Sequence, residues 1–374
     1  MTDQRFPRPG RVVLKVGSSS LRDASGGLDI DLVAELVRQI AGLREQGTEV
    51  VLVSSGAVAA GIAPLGLSAR PQSLAMLQAA ASVGQGILVH TYQSSFARHG
   101  LVCGQVLLTP DDVVVRARYL NARTTFEKLL ELGAVPLVNE NDTVATDELK
   151  FGDNDRLAAL AASMLGAGLL VLLSDVDGLL DGDPAEGAKL AVVDRVDDVA
   201  SLDGRLFGGV GSEVGSGGMA SKLEAARIMA FSGGHAVIAN ARRPGVIGQA
   251  VDGDHVGTWF PPARRRPESR KLWIAFAPIP KGRLVVDEGA ARALVQRGSS
   301  LLAAGVVDAV GDFTAGDAVD VIGPEGRPLA RGLVAYARRD VLQLRGRSTE
   351  DLAAELGVEY AKAIIHRDSL VVTA

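Results

Sequence analysis

The chain has 374 residues and a formal net charge of -5, with 47% hydrophobic residues but only 4% aromatic ones. That length exceeds what most single hydrophobic cores span, so we expect two domains, and the composition favours helices packed on buried parallel strands. The single cysteine, Cys103, excludes internal disulfides and cysteine-based metal clusters, and its apolar neighbours indicate a core residue.

The N-terminal stretch, MTDQRFPRPGRVVLKV, lacks the apolar segment of a signal peptide. Together with the lone cysteine, this favours a cytoplasmic location. The residues from 262 onward are slightly basic, whereas the rest of the chain is acidic. A weakly basic tail could bind RNA, but the simpler interpretation is that its charged residues form a solvent-exposed surface.

Strand-like apolar runs alternate with helix-like patterns along the first two thirds of the chain. Strands are predicted at 11–17, at 48–61 (where a small-residue turn follows the strand), and at 101–109, 134–142 and 169–180. Helices are predicted at 29–47, around 73–97, near 119–132 and from Asn154. This alternation predicts an α/β fold, a three-layer sandwich in which helices cover both faces of a mostly parallel open sheet.

One apolar run, residues 157–173, could be mistaken for a membrane helix. It is shorter than the roughly 20 residues that a bilayer requires and is interrupted by LGAGL. We divide it into a buried helix and a buried strand, and we expect no membrane association.

Near residue 262 the sequence becomes polar, basic and proline-containing, as in PPARRRPESRK, which is typical of a linker. The residues after it indicate one short helix and then several brief strands separated by glycine-rich turns. We therefore predict a large domain at 1–262, a linker at 263–280 and a small β-rich domain at 281–374.

Polar residues follow four of the predicted strands at the point where each strand ends. They are Gly17 to Ser20, Ser54 to Gly56, Asn139 to Asp142, and Ser174 with Asp175. In an open α/β sheet the carboxyl ends of the strands form the edge that binds ligands. We therefore expect the functional site at this edge.

Two loops rich in glycine and serine each carry a lysine. KVGSSSL places Lys15 at the end of the first strand, and GSGGMASKLEAA places Lys222 at the start of a helix. A Walker motif is excluded because Ser221 replaces its last glycine. Each loop alone is explained as well by a turn or a surface loop, but both can present backbone N–H groups to an anion. Together they indicate phosphoryl transfer, which mostly requires positioning and neutralisation of charge.

Carboxylates and amides cluster in VNENDTVATDELKFGDNDRLAAL, residues 138–160. The cluster consists of Asn139, Asn141, Asp142, Asp153, Asn154 and Asp155. Helix capping or turn closure explains one or two such residues but not six. Hard oxygen ligands also suit Mg²⁺, which keeps several of its waters.

Other chemistries find little support in the sequence. Its five histidines lack metal-ligand spacing, and no G-x-S-x-G motif or G-x-G-x-x-G motif after the first strand is present. A carboxylate acceptor is already ionised at pH 7 and needs no general base. The absence of a candidate catalytic histidine is therefore consistent with transfer to a carboxylate.

From about residue 11 to 368, the chain resembles the glutamate 5-kinases of the amino-acid kinase family. The matching stretches are LKVGSSSL, VSSGAVAAG, VNENDTVAT, KFGDNDRLAALAA, LLSDVDGL, GSGGMASKLEAA and VDEGAARALVQRGSSLL. The resemblance implies an amino-acid kinase catalytic domain at 1–262, and at 281–374 a small β-barrel similar to PUA domains with a C-terminal extension. It also implies ATP- and Mg²⁺-dependent phosphorylation of the γ-carboxylate of L-glutamate to L-glutamyl 5-phosphate, the first step of proline biosynthesis.

The resemblance implies roles for individual residues. Lys15 and Lys222 match the pair that stabilises the transferring phosphoryl group, and Asp155 matches the carboxylate that orients them. The glutamate positions are Ser55, Asp142 and Asn154, with Asn139, Asn141 and Asp153 nearby. The ATP positions are Lys15, Ser174, Asp175, Ser216, Gly217, Gly218, Met219, Ala220, Ser221 and Lys222. Many relatives have threonine where this chain has Ser174, and either hydroxyl can donate the same hydrogen bond. No direct metal ligand is assigned, because Mg²⁺ is expected mainly on ATP phosphates and waters.

By the same resemblance, proline is expected to inhibit at a site overlapping that of glutamate, and the chain is expected to form dimers or tetramers. Coupling to glutamyl-phosphate reductase and RNA binding by the tail stay open. The alternatives are another kinase of this fold, acting on acetylglutamate, aspartate, carbamate or UMP, and an RNA-binding protein whose kinase body is a relic. The tail and VNENDTVAT favour glutamate, and the intact set of Lys15, Asp155 and Lys222 argues against a relic.

Overall fold

A computed structural model of the chain describes residues 4–23, 26–144, 154–182, 190–199, 202, 218–263, 269–276, 278, 280–357 and 362–373. The chain divides into two compact units, Met1–Arg266 and Pro267–Ala374. The first unit contains a mostly parallel sheet with helices, and the second contains a smaller sheet of its own. The predicted α/β fold class is confirmed.

The strands of the first unit are β1 (Arg11–Val16), β2 (Glu49–Ser54), β3 (Cys103–Leu108), β4 (Val135–Glu140), β5 (Leu169–Ser174), β6 (His235–Asn240) and β7 (Thr258–Phe260). Among the described residues they form one sheet in the order β3-β4-β2-β1-β5-β6-β7. Neighbouring strands are parallel except at one edge, where β7 runs antiparallel to β6.

The helices of the first unit account for most of the remaining described residues. They are α1 (Ile30–Glu45), α2 (Ala57–Ile62), α3 (Leu74–Ala97), α4 (Pro110–Val114), α5 (Arg116–Glu131), α6 (Asn154–Leu165), α7 (Met219–Phe231) and α8 (Val246–Val251). The sequence predicted a turn after the strand in 48–61, and the structure has the short helix α2 in that place. The helix begins just after the polar residues that end β2.

The central strands are apolar on both faces because helices cover the sheet on each side. Every residue of β5 is buried, and so are the last five residues of β1 and of β2. Continuous burial of this kind is typical of parallel strands. In β1 the charged exception is Lys15, which is 2% exposed. Its ammonium group therefore has to be compensated inside the protein.

The strand order changes direction at β1. The next strand in the sequence, β2, pairs with β1 on one side, whereas β5 pairs with β1 on the other side. In open α/β sheets a crevice forms at such a point, at the carboxyl ends of the strands. The register pairs Val16 with Ser54 of β2, and Leu173 of β5 also pairs with Val16. The loops that follow these three strands therefore begin side by side.

Two glycines allow α2 and α3 to cross in backbone contact. A Cβ atom on Gly61 would lie 1.9 Å from the carbonyl oxygen of Ala80, and one on Gly84 would lie 1.8 Å from that of Ala57. No larger residue fits at either position unless one helix moves. The crossing fixes the position of Gln85, the next residue of α3.

The apolar run at 157–173 covers most of α6 and most of β5, joined by residues 166–168, so it divides into a helix and a strand as the sequence predicted. In the described part of the chain, none of the helices combines the length and the apolar character that a membrane crossing needs. Cys103 is buried at the start of β3, as predicted for a core residue.

The second unit contains the strands β8 (Gly282–Val286), β9 (Val306–Gly311), β10 (Ala318–Ile322), β11 (Pro328–Leu333) and β12 (Leu370–Val372), and the helices α9 (Ser269–Phe276), α10 (Glu288–Arg297), α11 (Arg338–Leu344) and α12 (Thr349–Leu356). Its described strands form a sheet in the order β12-β11-β10-β8-β9. The pair β8 and β10 is parallel and the others are antiparallel. The sequence indicated one short helix followed by brief strands. The structure adds a strand before that helix and two helices after β11.

A helix lies within the stretch predicted as a linker. Part of that stretch, 264–268, lies outside the described residues, but α9 at 269–276 packs on the second unit. Arg331 of β11 donates from Nη1 to the carbonyl oxygen of Ala275 at 2.8 Å. The proline and basic residues before α9 suggested a linker, and the helix was missed because its apolar residues, LWIAF, are consecutive and show no helical period.

An aromatic cluster attaches the N-terminal segment to the sheet. The ring of Phe6 stacks on His235 with 4.2 Å between centroids, and Trp259 Nε1 donates to His235 Nδ1 at 3.1 Å. Because Nδ1 accepts this bond, the imidazole is neutral in this arrangement. Burial lowers the pKa of His235 from 6.5 to about 4.

We expect the first unit to lose stability as pH falls from 6.5 towards 4. In that pH window His235 is protonated in the unfolded chain but neutral in the folded chain, so a lower pH favours unfolding. The loss should be roughly 2 kcal/mol, which is less than the full shift implies because the ring is partly exposed. Urea unfolding at pH 7 and pH 5 checks this, with His235→Phe as the comparison. Equal pH dependence in both proteins would contradict the assignment.

Candidate active site

Lys15 lies in the buried part of β1, one residue before the carboxyl end at which the crevice forms. The loop after β1 is held against β5, since the N–H of Gly17 donates to the carbonyl oxygen of Leu173 at 3.2 Å. Gly17 also lies close to the ammonium group: a Cβ atom there would be 3.8 Å from Lys15 Nζ. The start of the glycine- and serine-rich loop and the lysine before it thus face the same space.

Asp155 lies between two lysines at the start of α6. Its Oδ1 is 2.5 Å from Lys15 Nζ, and its Oδ2 is 3.2 Å from Lys222 Nζ. The Asp155 side chain is fully buried, and the lysine side chains are 2% and 7% exposed. Residues that are far apart in the sequence are therefore joined in one ionic cluster, Lys15–Asp155–Lys222.

The charge of this cluster indicates the kind of ligand that it can bind. Two ammonium groups share one carboxylate, so the three side chains carry one net positive charge in a buried place. A buried site at which these side chains bring more positive than negative charge attracts an anion. The first turn of α7, which carries Lys222, adds the positive end of a helix dipole. The arrangement favours an anionic ligand.

Ser221 also contacts Asp155. Its Oγ lies 3.0 Å from Asp155 Oδ2 and 2.8 Å from the carbonyl oxygen of Gly218, and its single hydrogen can serve one of these acceptors at a time. Gly218 is the N-cap of α7, and Met219 and Ala220 form the first turn. The structure thus brings these predicted ATP residues to the cluster. Ser216 and Gly217 lie outside the described residues.

A second, uncharged cluster lies beside the first. Asn154 Nδ2 donates to Ser55 Oγ at 2.8 Å and to Asn139 Oδ1 at 2.9 Å. Ser55 follows β2, Asn139 lies near the end of β4, and Asn154 begins α6 directly before Asp155. Asn154 therefore contacts two other predicted substrate residues and directly precedes the carboxylate that holds the two lysines.

Two other predicted substrate residues lie in the turn after β4. The N–H of Asn141 donates to the carbonyl oxygen of Leu108 at 2.8 Å, which ties this turn to β3, and the N–H of Val144 donates to the Asn141 carbonyl oxygen at 3.2 Å. Asp142 follows in the same turn and is half-buried. Asp153 lies outside the described residues.

The sequence analysis missed two residues that support this cluster. Gln85 of α3 accepts a bond from Asn139 Nδ2 at 2.7 Å through Oε1. Tyr92 of the same helix is fully buried, and its hydroxyl accepts from Ser54 Oγ at 3.1 Å. Burial raises the pKa of Tyr92, so its hydroxyl stays protonated. Neither residue has a local sequence signal: Gln85 stands in VGQG and Tyr92 in HTYQ, both inside the same helix.

The remaining predicted ATP residues lie at the end of β5. Ser174 is buried and its Oγ donates to Asp175 Oδ1 at 3.0 Å, whereas Asp175 is exposed. A cavity of about 610 Å³ is lined by residues that include Asp177, which follows β5, and Asn240 and Arg242 at the end of β6, but not by Ser174 or Asp175. A cavity of this size is within the range of small-molecule sites.

No group of three or more histidine, cysteine, aspartate or glutamate side chains within the described ranges is arranged to hold a metal ion. The carboxylate of Asp155 is engaged by the two lysines on both of its oxygens. The donors that remain at this edge, such as Ser174 and Asp175, fit a magnesium ion that arrives with phosphate and water ligands rather than one held by the protein alone.

Known proteins resemble this chain over nearly its whole length. The model for the amino acid kinase family matches residues 10–240, and the model for the PUA domain matches residues 282–356. The chain is 54% identical to a protein of Salinispora arenicola named glutamate 5-kinase, over 96% of this chain and 97% of that protein. It is 53% identical to the one of Streptomyces avermitilis, over 96% of each. With the one of Caldanaerobacter subterraneus the identity is 44%, over 97% of each.

Proposed function

This chain belongs to the amino acid kinase family, within it to the glutamate 5-kinases, and from that premise we propose that it transfers a phosphoryl group from ATP to the γ-carboxylate of L-glutamate. The product is L-glutamyl 5-phosphate, which begins proline biosynthesis. The observation that carries the proposal is Asp155, which holds Lys15 and Lys222 together beside the amide cluster.

The two lysines suit the charge changes of phosphoryl transfer. The transferring group carries negative charge on its equatorial oxygens, and fixed positive groups stabilise this charge without rearranging. Asp155 holds one ammonium group on each of its oxygens, so both are positioned before the ligands bind. We propose that Lys15 and Lys222 flank the transferring phosphoryl group and that Asp155 positions them.

The amide cluster suits the acceptor. Ser55 and Asn154 offer a hydroxyl and an amide within 2.8 Å of each other, and Asn139 lies behind them. We propose that Ser55, Asn154 and Asp142 bind glutamate, with Asn139, Asn141 and Asp153 in support. Because the γ-carboxylate is already ionised at pH 7, its oxygen can attack phosphorus directly and no protein base has to remove a proton.

The nucleotide side of the site follows from the same cluster. We propose that the segment from Ser216 to Lys222 and the pair Ser174 and Asp175 bind ATP, with Lys15 reaching its phosphates. Mg²⁺ supplies neutralisation of phosphate charge when it is bound, held mainly through the phosphates and its own waters. The net positive charge of the lysine cluster supports this arrangement.

Further parts of the proposal rest on the family relationship. We propose that L-proline inhibits at a site overlapping that of glutamate and that the chain acts as a dimer or tetramer in the cytoplasm. Coupling to glutamyl-phosphate reductase would follow from the reactivity of an acyl phosphate. We also propose residues 1–262 as the catalytic domain and 281–374 as the PUA-like domain.

A hydroxamate assay tests the function directly. Hydroxylamine traps an acyl phosphate, so wild-type protein with ATP and Mg²⁺ should form hydroxamate with L-glutamate and far less with acetylglutamate or aspartate. We expect the discrimination to be at least about 100-fold, because buried polar groups built for one substrate stay unpaired with another. A preference for acetylglutamate or aspartate would overturn the choice of glutamate.

A further inference from the structure

Three side-chain amides form one chain of hydrogen bonds behind the proposed glutamate site. It begins at the main chain, where the N–H of Glu140 donates to Asn139 Oδ1 at 2.9 Å. A backbone N–H can only donate, so this contact identifies the oxygen of the Asn139 amide. Asn139 Nδ2 must then donate, and it does so to Gln85 Oε1 at 2.7 Å.

The same logic orients the other two amides. Gln85 must turn its oxygen to Asn139, so its Nε2 is directed elsewhere. Asn154 must turn its nitrogen to Asn139 Oδ1, at 2.9 Å, so its own Oδ1 is directed elsewhere. A single backbone group thus determines which polar atom of Gln85 and of Asn154 is left to meet a ligand.

Both of these atoms are buried, and neither finds a hydrogen-bond partner in the described part of the chain. Asn154 is only 9% exposed. Proteins rarely leave buried donors or acceptors unsatisfied, because doing so costs about as much as the hydrogen bond that is lost. A ligand that carries one hydrogen-bond acceptor and one donor would satisfy both atoms, and this explains why the amide chain leaves one donor and one acceptor unsatisfied.

We propose that Gln85 is a further substrate-binding residue, whose Nε2 donates to a carboxylate oxygen of the bound amino acid while Asn154 Oδ1 accepts from its ammonium group. An amino acid carries both the acceptor and the donor that these atoms require. This inference rests on the proposed function, because it assumes that the ligand beside Ser55 and Asn154 is the amino-acid substrate.

The position of Gln85 is set by rigid parts of the fold. Gly84 lies in the backbone crossing of α2 and α3, where even a Cβ atom would collide with the carbonyl oxygen of Ala57. The residue after it therefore has little freedom to shift along or around the helix. Gln85 reaches Asn139 from this fixed point, and its donor is directed before the substrate arrives, which lowers the cost of binding.

Gln85→Glu separates substrate binding from a purely supporting role. The new side chain keeps an oxygen for Asn139 Nδ2, but it replaces the donor by an oxygen that repels a carboxylate. We expect the KM and Kd for glutamate to rise about 10- to 100-fold, as for loss of a hydrogen bond to a charged group. The KM for ATP should change less than about twofold, since the nucleotide residues are elsewhere. Unchanged glutamate binding would overturn the proposal, because a residue that only supports Asn139 tolerates this substitution.

Matched variants guard against trivial explanations. Gln93→Glu makes the same change at an exposed position of α3 and should leave both KM values unchanged. Gln85→Met, of similar size but without polar atoms, should weaken glutamate binding at least as much as Gln85→Glu. Circular dichroism and thermal unfolding identify a variant that fails to fold. In that case Gln85→Asn, which is uncharged and too short to reach Asn139, is used for the same measurement of the Kd for glutamate.

Calorimetry without ATP keeps this proposal distinguishable from the proposed function. If the wild-type protein binds glutamate but forms no hydroxamate, the function fails while the effect of Gln85→Glu on Kd still decides the role of Gln85. If another amino acid is the substrate, the same comparison with that compound decides it. Absence of binding of glutamate, acetylglutamate and aspartate to the wild-type protein overturns the inference.

Discussion

Lys222→Ala is expected to lower the rate of acyl-phosphate formation by about 10³-fold while leaving the fold intact. Removing one fixed positive group from a transition state typically costs 10²- to 10³-fold, and cationic groups on a transferring phosphoryl group can cost more. The ammonium group of Lys222 lies 3.2 Å from Asp155 and is buried, so little water is available to replace it. Single-turnover measurement of hydroxamate gives the rate of the chemical step.

The fold should tolerate this change because Asp155 keeps Lys15 as its ionic partner. Without Lys222, the pair Lys15 and Asp155 is neutral. Lys222→Arg should recover only part of the rate, since the guanidinium keeps the charge but not the position of a compact ammonium group. Lys128→Ala, at an exposed lysine of α5, is the matched control and should behave as wild type. A rate within about threefold of wild type for Lys222→Ala would refute the assignment.

Asp155→Asn is expected to lower both the rate and the stability. Without the carboxylate, Lys15 and Lys222 would be two buried ammonium groups that repel each other. Removing one partner from a buried ionic cluster typically costs about 3 to 5 kcal/mol of unfolding free energy. The rate should fall by about 10³-fold, because neither lysine is then held in place. Urea unfolding and single-turnover hydroxamate formation measure the two effects separately.

A double variant distinguishes charge from position. In Asp155→Asn with Lys222→Met, only the charge of Lys15 is left, which restores the net charge of the wild-type cluster. We expect most of the stability to return while the rate stays low. ATP should stabilise Asp155→Asn more than wild type, because its phosphates supply the missing counter-charge. Asp197→Asn, at an exposed aspartate, is the control. No loss of stability in Asp155→Asn would contradict the charge argument.

The fold class could be predicted because strands and helices produce hydrophobic patterns within short stretches of sequence. The runs RVVLKV and LLVLLS are apolar at every position but one or two, which indicates strands buried on both faces. The apolar run at 157–173 was correctly divided because a glycine-containing break interrupts it. The helices α9, α11 and α12 were missed, since a short segment covers too few turns for a helical period to be clear.

The site could be predicted only in part. Lys15, Asp155 and Lys222 stand out as charged residues next to apolar elements, and the structure brings them together. Their catalytic roles stay predictions until the variants above are measured. Gln85 could not be recognised, because a glutamine inside a helix has no local feature that separates a solvated side chain from a buried one.

By itself, the sequence determined the alternation of strands and helices in the first unit, the presence of a smaller β-rich unit after it, and the edge of the sheet at which polar residues lie. These follow from properties of neighbouring residues, such as hydrophobic period and the residues that end an element. Only the tertiary structure decided that one carboxylate lies between two lysines and that a backbone N–H orients three amides. These features depend on contacts between distant parts of the chain, 67 positions apart for Asp155 and Lys222 and 54 for Gln85 and Asn139. Such contacts arise from packing of whole elements, for which a single sequence carries no local signal.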